Sequence, residues 1–474
     1  MQVQWSEALA VAGELVAPWS LDAGPGGAIV LFDRDGVRGE AAAGLASISH
    51  GLPFSAATRS RFASITKHAF CAFALEHGLA LQARLGELLP DLQEAFGQVP
   101  VERALSMTGA LPDLLQTYTL CGLPYSALVD LDRLDAFCDR LERRNGEHGR
   151  EIVYSNTGYR LVERGLALRG ALFGPWIEDT VNAALGTALL YPAHWDRPLN
   201  GLAEGYWRGG PEGSWRTGTY GPGLSASGAL TGSARDLAIW LAALLRGDGP
   251  AGGALETMAR PQPLANGSPT GYGLGLLQTP LGGRFLTGHG GSLPGFKNEI
   301  LFDRESGAGV VVLSNREETD AQALGLRVMA ALLGATMPDG APPRGLPQGL
   351  LIAPEGPGWI EIAGSTLTYL GAAATLRTGP LPGTAVSDSA YMPVALQARG
   401  TGIAGTIGHA PCSFAPVAPD AAIPPAMAGL WRNARHNATL EVTADGSGGA
   451  SAGLGTGPRS MSPSRSSHSM PRAP

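Results

Sequence analysis

Lysine is nearly absent from this chain. Its 474 residues contain only two lysines, Lys67 and Lys297, against 32 arginines. Arginine stays protonated in proteins, whereas a buried lysine can lose its proton and act as a base. Ser64 precedes Lys67 by three residues, which places both side chains on one face of a helix. We interpret the pair as a nucleophile with its activating amine; the alternative is a solvated surface lysine beside an unrelated serine.

Other absences exclude whole classes of function. No apolar run reaches the length of a membrane span, and the net charge of −7 provides no basic field for nucleic acid or an anionic membrane. The four cysteines form no disulfide framework, and no cluster has metal-ligand spacing. The amino terminus carries Glu7 and Glu14 within its apolar stretch, which favours an amphipathic helix over a signal peptide. We therefore expect a cytoplasmic protein that uses no metal or cofactor and has no nucleic-acid or membrane partner.

The sequence pattern changes from strand-like to helical and back to strand-like along the chain, which predicts an α+β fold. A hairpin-like segment at residues 27–45, helical patterns and three strand-like runs after Gly283 indicate one antiparallel sheet with helices packed on it. We assign these to one domain, residues 1–336. Proline and glycine then predict a linker at 337–357, and short β-like pieces predict a small antiparallel, barrel-like domain at 358–420. Residues 421–474 read as the start of a second, truncated β domain with a disordered tail from about residue 446.

Two further motifs accompany Ser64 and Lys67. Tyr154-Ser155-Asn156 follows a short apolar run, and His289-Gly290-Gly291 lies on a strand that begins near Phe285. Taken singly, the tyrosine is more often a packed aromatic residue and the histidine a satisfied strand residue. Their order and spacing relative to the serine and lysine favour a common site. Lys297 is expected on a strand face, with a role in the pocket as the alternative.

The set Ser-x-x-Lys, Tyr-x-Asn and His-x-Gly, in this order, resembles the serine β-lactamase and penicillin-binding superfamily. The His-Gly-Gly run, the segment Leu120-Cys121-Gly122 and a β domain after the first domain are most similar to D-stereospecific aminopeptidases. The resemblance implies a β-lactamase-like catalytic domain followed by a β-barrel domain. It also implies a small peptide or amide substrate with an N-terminal D-residue. A homodimer is left open.

The catalytic roles follow from this resemblance and from the residue types. Ser64 attacks an amide carbonyl and becomes acylated, and Lys67 and Tyr154 share the transfer of the proton. Asn156 offers a donor and an acceptor, so it can bind Lys67 and the substrate amide at once. These four residues form the predicted centre of the reaction, together with His289.

The strand that carries the histidine is expected to hold the substrate. The backbone N–H groups of Ser64 and Ser292 would form the oxyanion hole. Gly290 and Gly291 would be required because a Cβ would collide with substrate lying along the strand edge. His289 replaces a lysine that β-lactamases direct at a substrate carboxylate. A largely neutral imidazole suits a hydrogen bond to Tyr154 better than it suits anchoring an anion.

The leading functional hypothesis is a serine hydrolase that releases N-terminal D-Ala, D-Ser or Gly from peptides, amides or esters through an acyl-enzyme. One alternative is a D,D-carboxypeptidase or esterase on the same scaffold, and another is a non-catalytic sensor of the β-lactam-binding type. An aminopeptidase must also recognise an α-ammonium group. Three carboxylates are candidates for this contact: Asp113, Glu212 and Glu299.

Overall fold

The structure is a computed structural model of the whole chain. It describes residues 3–120, 122–337, 341–355, 358–369, 372–379, 381–387, 389, 392–417, 426, 428–433, 438–444 and 450–455. These residues form two compact units, Met1–Leu111 with Leu128–Pro338 and Pro112–Ala127 with Asp339–Pro474. The predicted first domain differs from this grouping in one respect, because the segment Pro112–Ala127 belongs to the second unit.

A six-stranded antiparallel sheet forms the centre of the first unit. Its strands are β1 (Gly27–Asp33), β2 (Gly36–Ala43), β3 (Leu277–Leu281), β4 (Arg284–Leu293), β5 (Phe296–Asp303) and β6 (Ala308–Ser314). They lie in the order β2-β1-β6-β5-β4-β3, so β1 from the amino-terminal part pairs with β6, with Gly27 opposite Ser314. The predicted sheet built from both ends of the domain is therefore confirmed.

Both faces of this sheet are covered by helices, which explains why β1 and β6 are continuous apolar runs. On one face lie α1 (Trp5–Val16) and α5 (Ala321–Leu333), which pack against Ile29, Leu31 and Val310 in one buried cluster. On the other face, α4 (Ala234–Arg246) packs against β1 and β6. The turn before α2 (Thr66–Glu76) contacts β4.

Most of the remaining helices of the first unit lie between α2 and α4 in the chain. The longest is α3 (Thr157–Ala167), and its strong amphipathic pattern buries one side while Arg164 remains partly exposed. Shorter helical segments are Ala17–Ser20, Leu85–Leu88, Glu94–Gly97, Val101–Leu105, Leu131–Cys138, Phe173–Pro175, Trp176–Val181, Asn182–Leu185 and Leu255–Ala259. Short strand pairs join Leu45–Ser47 to Leu52–Pro53, Ser60–Arg61 to Thr231–Gly232, and Tyr206–Trp207 to Arg216–Thr217.

The second unit contains a closed eight-stranded antiparallel barrel. Its strands are β7 (Gly349–Ile352), β8 (Trp359–Ala363), β9 (Thr366–Tyr369), β10 (Ala372–Thr378), β11 (Thr384–Ser387), β12 (Val394–Arg399), β13 (Gly402–Ile407) and β14 (Ala410–Pro416). Alternate residues such as Ile360 and Ile362 fill its interior. The predicted α+β class with a barrel domain is confirmed. The predicted linker at 337–357 requires a correction, because its second half contains β7.

A separate three-stranded antiparallel sheet follows the barrel. Its strands are β15 (Gly429–Asn433), β16 (Ala438–Ala444) and β17 (Ala450–Gly455). The disordered tail was predicted from about residue 446, so the strand at 450–455 corrects that boundary. The rest of the predicted tail lies outside the described residues. The second unit also includes the helix Leu114–Leu120.

No helix within the described part of the chain is long and apolar enough to cross a membrane.

Candidate active site

Ser64 lies on a tight turn that the surrounding backbone holds in a strained conformation. The turn, Ala63–Ile65, leads directly into α2, and Ala63 has a φ of +54°. A residue with a Cβ in this left-handed region costs about 1–2 kcal/mol. Thr66 fixes the turn: its Oγ1 donates to the Ala63 carbonyl at 2.7 Å and accepts the N–H of Leu230 at 2.9 Å. The side chain of Ser64 is consequently presented, half-buried, at the start of the helix.

Lys67 is fully buried and directed at Ser64. Its Nζ lies 2.9 Å from Ser64 Oγ, 2.8 Å from Asn156 Oδ1 and 2.7 Å from the carbonyl oxygen of Ser227. The predicted helical pairing of serine and lysine thus brings the two functional groups into hydrogen-bond contact. The surface-lysine alternative is wrong, because the side chain is 0% exposed.

The contacts of Nζ are compatible with both protonation states of Lys67. A carbonyl oxygen and an amide oxygen only accept hydrogen bonds, so Ser227 O and Asn156 Oδ1 can each take one N–H. An uncharged amine has two N–H groups and one lone pair. Lys67 Nζ can donate to Ser64 Oγ as an ammonium, or accept the hydroxyl proton of Ser64 as a neutral amine. The same three contacts would also bind an ammonium, which has three N–H donors, so the site can hold the lysine before and after it takes up the proton.

Tyr154 and Asn156 reach the site from the segment immediately before α3. Asn156 is the residue at which that helix begins, and its side-chain oxygen binds Lys67. The centroid of the Tyr154 ring lies 4.9 Å from Lys67 Nζ and 6.4 Å from the centroid of the His289 ring. The motif Tyr-x-Asn therefore places both of its side chains beside Lys67.

His289 is fully buried on β4 and is held from two sides. Its Nδ1 lies 2.6 Å from the carbonyl oxygen of Gly290, and its Nε2 lies 2.7 Å from the hydroxyl of Tyr272. Burial, and secondarily the charge of Lys67, lower the pKa of His289 to about 3. The imidazole is therefore neutral near pH 7. Because a carbonyl only accepts, Nδ1 carries the proton and Nε2 accepts from Tyr272.

Gly291 is required by the packing of β4 against the nucleophile turn. A Cβ at this position would lie 2.1 Å from the carbonyl oxygen of Phe62 and 3.2 Å from Ala63 Cβ. From the sequence, this glycine is expected to make room for substrate. The structure adds a second reason, since any side chain would displace the backbone that carries Ser64.

Beyond Gly288, no described strand pairs with β4 on the side of β3. Leu277 of β3 pairs with Gly288, and this is the last pair between the two strands. The next residues of β4, including Gly290 and Ser292, therefore have a sheet neighbour only on the β5 side among the described residues. An extended substrate could align along this edge, beside the turn that carries the nucleophile.

The three carboxylates considered for an ammonium contact lie in different places. Asp113 belongs to the second unit, where it accepts the N–H groups of Leu115 and Gln116 at the start of a helix. Glu212 is exposed in a loop. Neither observation places the carboxylate beside Ser64.

Glu299 lies on the wrong face of the sheet for such a contact. Side chains alternate along a strand, and paired residues of antiparallel strands share a face. His289 pairs with Ile300, so Glu299 points to the other face, where its Cγ is close to Gly325 of α5. Burial raises the pKa of Glu299 well above its usual range. Glu299 is therefore not placed to bind a substrate ammonium beside His289, and this candidate is wrong.

Sequence reasoning missed two groups that contact the predicted residues. Tyr272 lies in the run Gly-Tyr-Gly-Leu-Gly, and nothing in its distance along the sequence from His289 indicates a contact. Only the fold brings the two residues together. Ser227 contributes through its backbone carbonyl. Every residue has this group, so the identity of the side chain does not predict the contact.

An antiparallel sheet covered by helices, with Ser64, Lys67 and Asn156 in contact and Tyr154 and His289 beside them, defines the serine β-lactamase type of protein. The chain belongs to the beta-lactamase family, whose sequence model matches residues 20–335. The predicted superfamily is confirmed.

Comparison with individual proteins agrees with this assignment. The chain is 26% identical over 355 residues to a D-aminopeptidase of Brucella canis, covering 71% of this chain and 63% of the relative. It is 25% identical over 315 residues to a D-aminopeptidase of Gluconobacter oxydans, covering 66% of this chain and 59% of the relative. The matched part is thus less than two thirds of the length of these curated relatives.

Solved structures show the same fold. The octameric penicillin-binding protein homologue from Pyrococcus abyssi has a TM-score of 0.59 at 22% identity, covering 82% of this chain and 95% of that one. The D-amino acid amidase from Ochrobactrum anthropi SV3, complexed with D-phenylalanine, has a TM-score of 0.58 at 23% identity, covering 69% of this chain and 98% of that one.

Proposed function

We propose that this protein is a serine hydrolase that releases an N-terminal D-amino acid, such as D-Ala or D-Ser, or glycine from peptides, amides or esters. The observation that carries the proposal is the arrangement around Lys67, whose Nζ lies 2.9 Å from Ser64 Oγ and also contacts Asn156 Oδ1 and the carbonyl oxygen of Ser227. The names of the curated relatives, which are D-aminopeptidases, support the choice of substrate.

In the proposed reaction, Ser64 Oγ attacks the carbonyl carbon while its proton passes to Lys67. The tetrahedral intermediate then collapses, the C–N bond breaks, and the leaving amine receives a proton by way of Lys67 and Tyr154. Water hydrolyses the resulting ester and restores the serine hydroxyl. The backbone N–H groups of Ser64 and Ser292 are proposed to stabilise the oxyanion, each contributing about 10²–10³ in rate.

The neutral state of His289 favours a substrate that enters with its amino end. A cation at this position would repel the α-ammonium group of an N-terminal residue. The buried imidazole, with its pKa lowered to about 3 by burial and the neighbouring Lys67 charge, brings no positive charge to the acyl pocket. This supports an aminopeptidase over a carboxypeptidase.

Kinetics on four substrates in parallel test the proposal: D-Ala-p-nitroanilide, L-Ala-p-nitroanilide, a diacyl-D-Ala-D-Ala peptide and a p-nitrophenyl ester. We expect the D-anilide to have the highest kcat/KM of the three amide substrates. Ser64→Ala should abolish both turnover and labelling by a fluorophosphonate while the protein stays folded. Faster cleavage of diacyl-D-Ala-D-Ala would instead establish the carboxypeptidase alternative, and labelling without any turnover would indicate a sensor.

A further inference from the structure

Tyr159 is a buried tyrosine whose ring faces Lys67. The centroid of its ring lies 5.3 Å from Lys67 Nζ, and the centroid of the Tyr154 ring lies 4.9 Å from the same atom. Tyr159 follows Asn156 by three residues at the start of α3, so both side chains lie on one face of that helix. Three side chains from this one segment of the chain thus reach Lys67.

The hydroxyl of Tyr159 is an anchor for the ring. It donates its proton to the carbonyl oxygen of Leu105 at 2.7 Å, and the thiol of Cys71 lies 3.8 Å from the same oxygen atom. The residue is 0% exposed, and burial raises the pKa of Tyr159 well above its usual range, so the phenol stays neutral. With its proton directed at Leu105, Tyr159 meets Lys67 through the face of its ring.

A ring in this position distinguishes the two protonation states of the lysine. The face of a tyrosine ring carries partial negative charge and attracts an ammonium within about 6 Å of its centroid, whereas a neutral amine gains little. Lys67 is 0% exposed, and burial disfavours a charged amine. Its oxygen contacts on Ser64, Asn156 and Ser227 carry no formal charge. The ring therefore offsets part of the cost of placing a positive charge at this buried position.

We propose that Tyr159 is a positioning residue whose ring, and not its hydroxyl, stabilises the ammonium form of Lys67 and so strengthens this lysine as the base for Ser64. The inference rests on the function proposed above only through the role of Lys67 as base, and it does not depend on which substrate is cleaved. In the proposed reaction Lys67 becomes positively charged as it takes the serine proton. An interaction that grows with this charge lowers the barrier of that step.

Four ionisable side chains around Lys67 and Tyr154 keep one protonation state across the neutral range: Cys71, Tyr159, Tyr272 and His289. Burial raises the pKa of the Cys71 thiol to about 12, and burial with the charge of Lys67 lowers the pKa of His289 to about 3. Burial also raises the pKa values of both phenols in this set well above their usual range. A proton transition of Lys67 in the neutral range is therefore not mixed with theirs, and Tyr154 is the neighbour that can share the proton.

The near absence of lysine allows a direct titration. Protein labelled with ¹³C at lysine Cε gives signals from Lys67 and Lys297 alone, and Lys297→Arg assigns them. The Cε chemical shift follows protonation of the amine, so its midpoint against pH measures the proton affinity of Lys67. Tyr159→Leu should lower this midpoint by about 0.5–1 pH unit, because the ammonium loses a stabilising contact. Tyr159→Phe keeps the ring and removes only the hydroxyl, so its midpoint should stay near that of the wild type.

Phe173→Leu is the matched control. Phe173 is a buried residue that packs edge-on against Phe70, with 5.4 Å between ring centroids, and the Phe70 ring lies 6.1 Å from that of Tyr159. The control thus removes a ring from the same aromatic cluster, one side chain farther along, and should leave the midpoint unchanged. If Tyr159→Leu does not fold, fluorinated phenylalanines in place of Tyr159 provide the same test. Fluorine withdraws charge from the ring face at nearly constant shape, so the midpoint should fall with each added fluorine.

The fluorophosphonate labelling rate connects the titration to Ser64. Above the midpoint, this rate should fall by up to about tenfold in Tyr159→Leu and remain near the wild-type value in Tyr159→Phe. An unchanged midpoint in Tyr159→Leu, or a decrease that is as large in Tyr159→Phe or in Phe173→Leu, would overturn the assignment to the ring. Turnover of D-Ala-p-nitroanilide is a separate measurement. Its absence, with the expected midpoints and labelling rates, would overturn the aminopeptidase proposal and leave the role of Tyr159 standing.

Discussion

Tyr272 donates its hydroxyl proton to Nε2 of His289 across 2.7 Å, and this contact joins the loop before β3 to the strand that carries the His-Gly-Gly motif. The imidazole is held as one tautomer, because its Nδ1 proton is directed at the Gly290 carbonyl 2.6 Å away. Burial also raises the pKa of Tyr272 well above its usual range, so the phenol keeps the proton that it donates. Tyr272 is thus a positioning residue for His289.

Tyr272→Phe should therefore change the state of His289. Without the Tyr272 hydroxyl, Nε2 loses a hydrogen-bond donor to its neutral form, and the pKa of His289 should rise from about 3. We expect kcat to fall by about tenfold with little change in KM. ¹⁵N chemical shifts of the imidazole across a pH titration measure the tautomer and the charge directly. Tyr206→Phe, which removes a tyrosine hydroxyl bonded to Glu204, is the control. Identical ¹⁵N shifts for His289 in the variant and the wild type would refute the positioning role.

Lys67→Arg should be almost as damaging as Lys67→Ala. Arginine preserves the charge but does not release its proton at accessible pH, so a base at this position cannot be replaced by conserving charge. The rate of labelling by a fluorophosphonate measures activation of Ser64 without reference to any substrate, and circular dichroism verifies the fold. If the arginine variant retained a large share of the wild-type labelling rate, Lys67 would be an electrostatic support rather than a base.

The main features of the first unit were predictable from the sequence because local signals and the fold agree there. The turn Asp33-Arg34-Asp35-Gly36 lies where the hairpin between β1 and β2 was expected, and α2 ends at Glu76, shortly before Gly78 with its φ of +72°. Strand-like runs joined by turn residues likewise predicted β4, β5 and β6. In each case a pattern within a few residues determines the element.

The features that escaped prediction depend on distant parts of the chain. Strand β7 lies in a proline-rich segment whose composition resembles a linker, and it becomes a strand by pairing with β8 and β14 to close the barrel. The carbonyl of Ser227 binds Lys67 across 160 positions of sequence. Lys297 was expected on a strand face, and only the register of β4 and β5 shows that it lies opposite Ser292.

Stability should depend on pH through a second buried histidine. His68 directs Nδ1 at the Ile65 carbonyl in the nucleophile turn and accepts the indole N–H of Trp240 at 2.8 Å. Burial lowers its pKa from 6.5 to about 4. Between pH 6.5 and 4 the unfolded chain therefore binds a proton that the folded chain does not. As the pH falls through this window, the free energy of unfolding should decrease by up to about 1.4 kcal/mol per pH unit.

Urea unfolding at several pH values measures this slope, and His68→Asn should reduce it, whatever the absolute stability of the variant. His194→Asn, at an exposed position, is the control. A slope unchanged in His68→Asn would show that other groups cause the acid sensitivity.

Gly291→Ala should disable the nucleophile without unfolding the protein. The new Cβ would lie 2.1 Å from the Phe62 carbonyl, so β4 or the turn carrying Ser64 must move. Overpacking of this kind costs about 1–3 kcal/mol, and the fluorophosphonate labelling rate should fall by about tenfold or more. Gly13→Ala is the matched control: it lies within α1 with nothing within 4 Å of its Cβ position. That variant should gain about 0.5–1 kcal/mol from the helix propensity of alanine and label at the wild-type rate. If Gly291→Ala labelled as fast as Gly13→Ala, contact between β4 and the turn would not control the position of Ser64.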